Sequence, residues 1–455
     1  MSLEEARTQK PHTAGARPRA AVKPMPELGH EQASTARCEQ TSPGATDLLG
    51  QALARENMAA AWKRVKANKG SAGVDGRTVQ DTGEYLKTAW ADIRTKLLDG
   101  SYRPDPVRRV GIPKPGGGTR ELGIPTVVDR LIQQALLQVL QPLIDPTFSA
   151  HSYGFRPGRS AHGAVQEAKQ YVQTGRGVVV DVDLEKFFDR VNHDILMDRL
   201  AKRIADKRVL GLIRRYLQAG ILEHGVSIKR EDGTPQGGPL SPLLANVLLD
   251  EVDRELERRG HCFVRYADDC NVYVRSLKAG QRVLRALRAA YAKLKLRVNE
   301  AKTTVAPVWG RKFLGYSMWP GKDGQVQLAV SEPAMHKVRE RLRAITSRTR
   351  GHSIDSIVRE LRSYVPGWKA YFQLTQRPWA LRRLDAWLRR RLRAVQLKQW
   401  RTGRTAYAAL MRLGAPSKLA ASVACHVRRW WHCSLRVQSI LDVAYFDHLG
   451  VPRFS

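Results

Sequence analysis

Two adjacent aspartates, Asp268 and Asp269, lie between short β-branched and aromatic runs in residues 261–274. Apolar and polar residues alternate on both sides of the pair, which predicts a β-hairpin with the two carboxylates at its turn. A polar turn on an exposed hairpin is the simple alternative, because aspartate is common in turns. A second apolar run, residues 178–182, leads into Asp183 and favours a functional role for the three carboxylates.

Carboxylates at the ends of neighbouring strands suit phosphoryl transfer. If the two strands pair, Asp183 comes beside Asp268. These hard oxygen ligands favour Mg²⁺, which takes one or two carboxylates together with substrate phosphates. Two such ions would activate an attacking 3′-hydroxyl and stabilise the leaving pyrophosphate oxygens. The sequence therefore predicts a two-Mg²⁺ catalytic site in which Asp183, Asp268 and Asp269 are the metal ligands.

Seven motifs follow one another along the chain. They are residues 112–125, 152–160, 178–183, 233–242, 261–274, 298–303 and 313–316. In this order, and with Tyr266-Ala267-Asp268-Asp269 at the hairpin, they resemble the reverse transcriptases encoded by group II introns, from about residue 48 to the C-terminus. The resemblance implies an α+β fold: a right-hand polymerase with fingers and an antiparallel palm sheet, followed by an α-helical thumb and a small C-terminal DNA-binding segment.

The same resemblance implies roles for residues outside the acidic motifs. Contacts with the incoming nucleotide are implied for Lys114, Arg120, Phe188, Gln236 and Lys302. The ring of Phe188 would exclude a 2′-hydroxyl. A phenylalanine at this position is otherwise usually a core residue, but Phe187 and Phe188 do not easily both face inward. Arg156 and Arg159, in a turn, would contact the RNA template.

The 455 residues carry 77 Lys and Arg against 43 Asp and Glu, and the net charge of +34 indicates a polyanionic partner, RNA above all. The length predicts two or three domains. No apolar run approaches the roughly 18 to 20 uncharged residues of a membrane span, so no membrane partner is expected. Five scattered cysteines fit free thiols in a reducing cytoplasm rather than a disulfide framework.

Composition and periodicity divide the chain into four parts. Residues 1–45 lack aliphatic periodicity and are predicted to form a disordered tail. Residues 46–320 would form the fingers and palm, residues 331–400 a helical thumb or maturase domain X, and residues 401–455 the DNA-binding segment, with no endonuclease domain. The 125 residues from Ser331 onward contain 25 Lys and Arg but 7 Asp and Glu, so over half of the net charge lies in this part, which would bind the intron RNA and the template-primer duplex.

An apolar stripe in residues 381–395 predicts an amphipathic helix whose arginines face away from the core. Arg382, Arg389 and Arg393 on this helix are predicted to bind RNA phosphates. Near the C-terminus, the side chains of Cys425, His426, His432 and Cys433 suit zinc, but their spacing matches no familiar finger pattern. Buried thiols and solvated histidines are the reading we favour.

The sequence thus predicts an RNA-directed DNA polymerase that copies intron RNA into cDNA during retrohoming and binds its intron RNA to assist splicing. Its partners would be group II intron RNA, a DNA target and primer, and dNTPs, in a nucleoid-associated ribonucleoprotein of the bacterial cytoplasm. Two alternatives remain open. One is a splicing-only maturase, against which the intact acidic residues argue. The other is a reverse transcriptase of the retron, diversity-generating or CRISPR-associated type, against which Gly367-Trp368 argues.

Overall fold

The structure, a computed structural model, describes residues 47–113, 119–223, 226–228, 233–234 and 237–455. The predicted N-terminal tail, residues 1–45, lies outside these ranges. The strands of the described part are β1 (Val107–Pro113), β2 (Thr119–Ile124), β3 (Val178–Val182), β4 (Ile221–Glu223), β5 (Val226–Ile228), β6 (Cys262–Tyr266), β7 (Asp269–Val274), β8 (Thr304–Pro307), β9 (Lys312–Phe313), β10 (Tyr316–Pro320) and β11 (Val326–Val330).

Helices surround these strands and form the whole C-terminal part. The first nine are α1 (Leu48–Ala52), α2 (Arg55–Ala67), α3 (Val79–Leu98), α4 (Val127–Ile144), α5 (Ala161–Gln173), α6 (His193–Ala201), α7 (Lys207–Gln218), α8 (Ser241–Arg258) and α9 (Leu277–Lys293). The C-terminal helices are α10 (Glu332–Ile345), α11 (Ile354–Tyr371), α12 (Pro378–Gln399), α13 (Gly403–Arg412), α14 (Ser417–Cys425), α15 (Trp430–Arg436) and α16 (Val443–His448). Among the helices described, none is long and apolar enough to cross a membrane.

The central sheet has the strand order β6-β7-β3-β8, and each neighbouring pair is antiparallel. β3 is valine-rich along its length because helices cover both faces of the sheet. Val178, Val180 and Val182 pack in a core with α9, whereas Val179 packs in a different core with α5. The two-residue period of a strand places Asp181 on the Val179 face, and Asp183, the next residue in that series, follows just beyond the strand.

The chain forms two further sheets, one of four strands and one of three. The first has the order β2-β1-β4-β5, and the second has the order β11-β10-β9. The second sheet leads into the C-terminal helices through contacts of residues 314–316. The carbonyl of Leu314 accepts a hydrogen bond from the hydroxyl of Tyr371 at 3.0 Å, and the carbonyl of Gly315 accepts one from the backbone N–H of Ser331 at 2.9 Å. The motif at 313–316 therefore joins the sheet to α11.

Buried apolar residues form two large cores and smaller ones. The first large core is drawn from residues 48–296 and the second from residues 335–454. Helices on both sides of residue 400 share the second core, and the C-terminus is attached to it. The carboxylate of Asp385, buried in α12, accepts hydrogen bonds from the backbone N–H groups of Phe454 and Ser455, each at 2.9 Å.

Candidate active site

The β6–β7 hairpin carries two of the predicted catalytic carboxylates. Asp268 lies in the turn and Asp269 begins β7. β7 pairs with β3 so that Val182 lies opposite Cys270, and Asp183, one residue beyond β3, therefore comes level with Asp269. The structure thus brings together the two acidic segments that are 85 residues apart along the chain.

The hairpin turn has an unfavourable backbone conformation. Ala267 has a φ of +58°, in the left-handed region that costs a residue with a side chain about 1–2 kcal/mol. Gly154 packs against this turn, and a Cβ atom at residue 154 would lie 2.2 Å from the backbone nitrogen of Ala267. Only glycine allows so close an approach of two backbones. Strained residues of this kind are concentrated at functional sites, where surrounding contacts hold them in place.

Arg265 holds the turn from inside the protein, with a side chain that is 1% exposed. Its Nε and Nη2 atoms donate to the carboxylate of Asp253 in α8 at 2.8 and 2.6 Å. Its Nη1 atom donates to Oδ1 of Asn246 at 2.8 Å and to the carbonyl of Ala267 at 2.9 Å. Asn246 in turn donates to the carbonyl of Gly154 at 2.9 Å. One buried guanidinium therefore links α8, the turn and the segment that packs against it.

The motif at residues 298–303 holds Asp183. The backbone N–H of Asn299 donates to the carbonyl of Asp183 at 2.8 Å, and the N–H of Asp183 donates to Oγ1 of Thr303 at 3.2 Å. Nζ of Lys302 lies 3.1 Å from Oδ2 of Asp183. The structure therefore places Lys302, a predicted nucleotide contact, in an ion pair with a predicted catalytic carboxylate.

Asp181 is a fourth carboxylate of the site, and the sequence alone did not single it out. It lies opposite Asn271 of β7, and with the amide of Asn271 turned so that its nitrogen faces the carboxylate, that nitrogen donates to Oδ1 of Asp181 at 3.0 Å. Nη2 of Arg311 lies 3.8 Å from Oδ2 of Asp181. The available signal was the two-residue spacing of Asp181 and Asp183, because alternate residues along a strand share one face.

Asp181, Asp183 and Asp269 border an open cavity of about 570 Å³, hereafter the cleft. Its charged lining residues are Asp181, Asp183, Asp269, Lys302, Arg311 and Lys312. Desolvation in the cleft raises the pKa of Asp269 to about 6, although one side of this residue is open to solvent. Repulsion by Asp268 and by the two acidic residues at β3 adds to the rise in pKa, and Lys312 opposes it. A bound cation would relieve this repulsion.

The donor set fits Mg²⁺ in charge and chemistry. Oδ2 of Asp183 is buried beside Nζ of Lys302, which lies at 3.1 Å but outside hydrogen-bonding geometry, so this oxygen keeps lone pairs for a cation. Within the ranges described, no group of three or more Asp, Glu, His or Cys side chains is arranged to hold a metal ion by itself. Mg²⁺ requires only one or two protein carboxylates, because water and substrate phosphates complete its coordination. The site therefore fits an ion whose coordination the substrate completes.

Two protein families match the chain. The model of the family described as "Reverse transcriptase (RNA-dependent DNA polymerase)" matches residues 112–318, and that of "Group II intron, maturase-specific domain" matches residues 335–414. Among curated relatives, Protein YkfC of Escherichia coli is 34% identical over 286 residues, which cover 54% of this chain and 75% of YkfC. The chain belongs to the group II intron-encoded reverse transcriptases.

A further relative carries the family in its name. The group II intron-encoded protein LtrA of Lactococcus lactis is 39% identical over 196 residues, which cover 43% of this chain but 32% of LtrA. Among solved structures, one chain of a partial Cas6-RT-Cas1--Cas2 complex is 25% identical to this chain, with a TM-score of 0.36. The alignment covers 54% of this chain and 42% of that chain. The predicted family, the reverse transcriptase fold of mixed helices and sheets, and the predicted enzyme class, an RNA-directed DNA polymerase, are confirmed.

The predicted nucleotide contacts of this reverse transcriptase divide into two groups. Lys114 and Gln236 lie outside the described residues, as does the side chain of Arg120 in β2. Lys302 and Phe188 are described. Phe188 is half-buried and its carbonyl accepts a hydrogen bond from the backbone N–H of Thr234 at 2.7 Å, so the start of the glycine-rich motif at 233–242 lies against it.

The prediction that Arg156 contacts the template is wrong. Its side chain is 5% exposed, and all five of its N–H donors are used within the protein. Nε and Nη2 donate to the carboxylate and carbonyl of Asp145 at 2.9 Å, and Nη1 donates to the carbonyls of Ser149 and Ser152 at 2.5 and 3.0 Å. Arg156 therefore closes the turn that follows α4, whereas its neighbour Arg159 is exposed.

The prediction for Arg393 is also wrong. Arg393 is 5% exposed, and its Nε donates to the carbonyl of Leu441 at 2.8 Å. The apolar stripe of α12 is buried as predicted, but α15 and residues 437–441 cover a second side of this helix. Arg382 is exposed and Arg389 partly exposed, so these two remain accessible to RNA.

The possible zinc ligands near the C-terminus have different surroundings. Cys433 is fully buried, and its Sγ donates to the carbonyl of His426 at 3.2 Å. Cys425 is exposed, contrary to the expectation of a buried thiol. His426 and His432 are also exposed. These four side chains therefore do not share one environment.

Proposed function

We propose that this chain copies its group II intron RNA into cDNA during retrohoming and binds the same RNA to assist splicing. The observation that carries this proposal is the convergence of Asp183, Asp268 and Asp269 at one end of the central sheet, beside a cleft that also contains Lys302. The maturase-specific match over residues 335–414 supports the splicing role. The partners would be intron RNA, a DNA target with its primer, and dNTPs, with Mg²⁺ as cofactor.

The layout we propose is a right hand. The central antiparallel sheet would be the palm within residues 46–320, residues 331–400 the thumb, and residues 401–455 a DNA-binding segment. The two large cores support a division near residue 331. The shared core on both sides of residue 400 supports a thumb and DNA-binding segment that move together.

In the proposed reaction, the 3′-hydroxyl of the primer attacks the α-phosphate of a dNTP and pyrophosphate leaves in line. Mg²⁺ ions, when bound, activate this hydroxyl and stabilise charge on the leaving oxygens. Asp183, Asp268 and Asp269 would supply oxygen ligands from the ends of paired strands, which limit their motion. Lys302 is 67% exposed beyond its ion pair with Asp183, and would exchange that carboxylate for a phosphate of the nucleotide.

We assign the remaining residues to contacts with the nucleotide, the template and the intron RNA. Phe188 would lie against the sugar of the incoming nucleotide, and Lys114, Arg120 and Gln236 would complete the nucleotide site. Exposed Arg159 would contact the template, and Arg382 and Arg389 would contact intron RNA. The arginines among these residues suit contacts with phosphate, because the planar guanidinium can pair with two phosphate oxygens at once.

Asp268→Ala tests the proposed active site. Primer extension on an RNA template with Mg²⁺ should fall by about a thousandfold or more, because the metal ions supply several kcal/mol of transition-state stabilisation. Binding of intron RNA should change little, since the basic helices lie outside the cleft. Asp323→Ala, in the exposed turn between β10 and β11, is the matched control and should extend normally.

Three experimental outcomes distinguish the possible functions of the chain. Near-normal extension by Asp268→Ala would overturn the active-site assignment. A wild-type chain that promotes splicing but extends no primer would be a splicing-only maturase. A chain that extends primers but binds its own intron RNA no better than unrelated RNA would support a reverse transcriptase without a maturase role.

A further inference from the structure

A groove of about 380 Å³ lies where β10 and β11 meet α10 and α12, and nothing in the polymerase mechanism uses it. We call it the tryptophan groove. Its lining includes two tryptophans, three arginines and one acid: Trp319, Trp379, Arg339, Arg377, Arg383 and Glu332. A concave surface that combines indole rings with excess positive charge differs in composition from an ordinary apolar docking site.

Both indole rings are open to solvent. Trp319 is 37% exposed and Trp379 is 54% exposed. The guanidinium carbon of Arg377 lies 5.1 Å from the ring centre of Trp319, and that of Arg383 lies 5.8 Å from the ring centre of Trp379. These distances allow cation–π attraction and hold each cation beside a ring. Each pair thus offers an aromatic face and a phosphate-binding group side by side.

The positive charge in the groove is largely uncompensated. In the part of the chain that the structure describes, neither Arg377 nor Arg383 forms an ion pair with a carboxylate. Glu332 lies 3.9 Å from Arg339 and so offsets that arginine alone. Two arginines therefore remain available to an anionic ligand.

The groove adjoins the cleft at one residue. Gly310 lines both cavities, and a Cβ atom at residue 310 would lie 3.2 Å from the indole of Trp319. Trp309, which is 40% exposed and precedes this glycine in the chain, lines the cleft. A strand that leaves the cleft over Gly310 would therefore enter the groove beside Trp319.

We propose that the tryptophan groove binds unpaired nucleotides of a single nucleic acid strand, with a base stacked on Trp379 and phosphates paired with Arg377 and Arg383. An unpaired base offers a free π-face of the kind that aromatic side chains stack against, and this stacking depends little on base identity. In a duplex those faces are covered by neighbouring base pairs. The inference deepens the proposed function, because it assumes that the cleft processes nucleic acid.

The test measures equilibrium binding of fluorescein-labelled oligouridylate and oligothymidylate 12-mers in buffer without dNTPs or Mg²⁺. Salt of about 0.3 M reduces non-specific attraction to the basic protein. Trp379→Leu should weaken single-strand binding by about tenfold, the effect of losing one stacked base. Trp379→Phe keeps a ring and should retain most of the affinity. A fully paired duplex of the same length should bind all three proteins alike.

Tyr85→Leu is the matched control. Tyr85 is half-buried in α3 and lies under the guanidinium of Arg77 at 3.8 Å, so it pairs an aromatic ring with an arginine outside the groove. This variant should bind the single strands like the wild type. Arg383→Gln should weaken binding and also lower its salt dependence, because it removes a phosphate contact.

The results distinguish RNA from DNA as the ligand, and they test the groove separately from the proposed polymerase function. Weaker binding of oligouridylate alone would assign the groove to RNA, and weaker binding of oligothymidylate alone would assign it to DNA. If Trp379→Leu binds single strands as the wild type does, or loses equal affinity for single strand and duplex, the groove does not bind unpaired nucleotides. Primer extension by the wild type would be unaffected by that result. A wild type that neither extends primers nor binds either strand would instead refute the proposed function.

Discussion

At the scale of single residues, Phe187 and Phe188 show how adjacent identical side chains acquire different environments. Lys186 has a φ of +48°, and residues 187–189 form one 3₁₀ turn in which the two rings are buried to different extents. Phe187 is 3% exposed within the first large core, whereas Phe188 is half-buried and meets the ring of its neighbour edge-on at 5.1 Å. Phe188 packs against the same core with part of its ring exposed, so its proposed contact with the nucleotide sugar stays a prediction.

Phe188→Val should admit ribonucleotides more readily. The smaller side chain would no longer meet a 2′-hydroxyl, and selectivity for dNTPs over rNTPs should fall by about tenfold or more. The measurement is the ratio of kcat/KM values for dCTP and CTP in primer extension. Phe187→Leu is the control, which should lower the free energy of unfolding and leave the ratio unchanged. Retained activity with an unchanged ratio in Phe188→Val would assign this ring to the core.

At the scale of elements, the β6–β7 hairpin depends on a buried ion pair with α8. Arg265 and Asp253 are both almost completely buried, so each neutralises a charge that would otherwise be desolvated alone. The same guanidinium donates to the carbonyl of Ala267 in the turn. Stability and turn geometry are therefore coupled through one side chain, and they can be separated by experiment.

Arg265→Met should lower the free energy of unfolding by about 3–5 kcal/mol, because Asp253 would be left as an unpaired buried charge. The double variant Arg265→Met with Asp253→Leu should recover most of that stability, since removal of both charges is often nearly neutral. Its single-turnover extension should remain slow, because Ala267 would still lack the donor that holds the turn. Urea unfolding and single-turnover kinetics measure the two effects.

Arg258→Met is the control for this pair, because Arg258 is exposed on the same helix, pairs with Glu255 at the surface and should affect neither measurement strongly. Full recovery of extension in the double variant would mean that the guanidinium stabilises the fold without positioning the turn.

At the scale of the whole molecule, positive charge is concentrated in the helical part. The residues from Ser331 onward have 25 Lys and Arg and 7 Asp and Glu. On α12 these arginines have distinct roles. Arg391 donates to Oγ1 of Thr346 at 2.6 Å and Arg393 to a carbonyl, whereas Arg382 is exposed at the surface. The number of RNA contacts is therefore smaller than the number of arginines.

Replacing Arg382 and Arg389 together by Gln should weaken RNA binding without unfolding the helix. Two lost phosphate contacts should lower the log–log slope of affinity against salt by about 1.4–1.8. Protein-assisted splicing near physiological salt should decline, whereas extension of a saturating short primer-template should largely survive. Binding across a salt series is the measurement.

Arg393→Gln serves as the comparison, because it should destabilise the protein through loss of a buried hydrogen bond and leave the salt slope unchanged. An unchanged slope in the surface variant would mean that Arg382 and Arg389 are merely solvated.

The sequence by itself determined the family, the acidic motifs and most of the elements that carry them. The strand expected at residues 178–183 is β3, the hairpin expected at residues 261–274 is β6–β7, and the amphipathic stripe at residues 381–395 lies within α12. These features follow from motif order and from periodicities of two or 3.6 residues, which depend on near neighbours in the chain.

Only the tertiary structure decided which polar side chains face solvent. Arg156 and Arg393 have sequence surroundings typical of exposed arginines, yet each is enclosed by segments that pack on a second side. Asp181 joins the acidic site through the register of β3 with β7, and Arg265 finds its partners on α8. A local pattern encodes one buried face, whereas the number of neighbours that cover an element depends on how distant parts of the chain pack together.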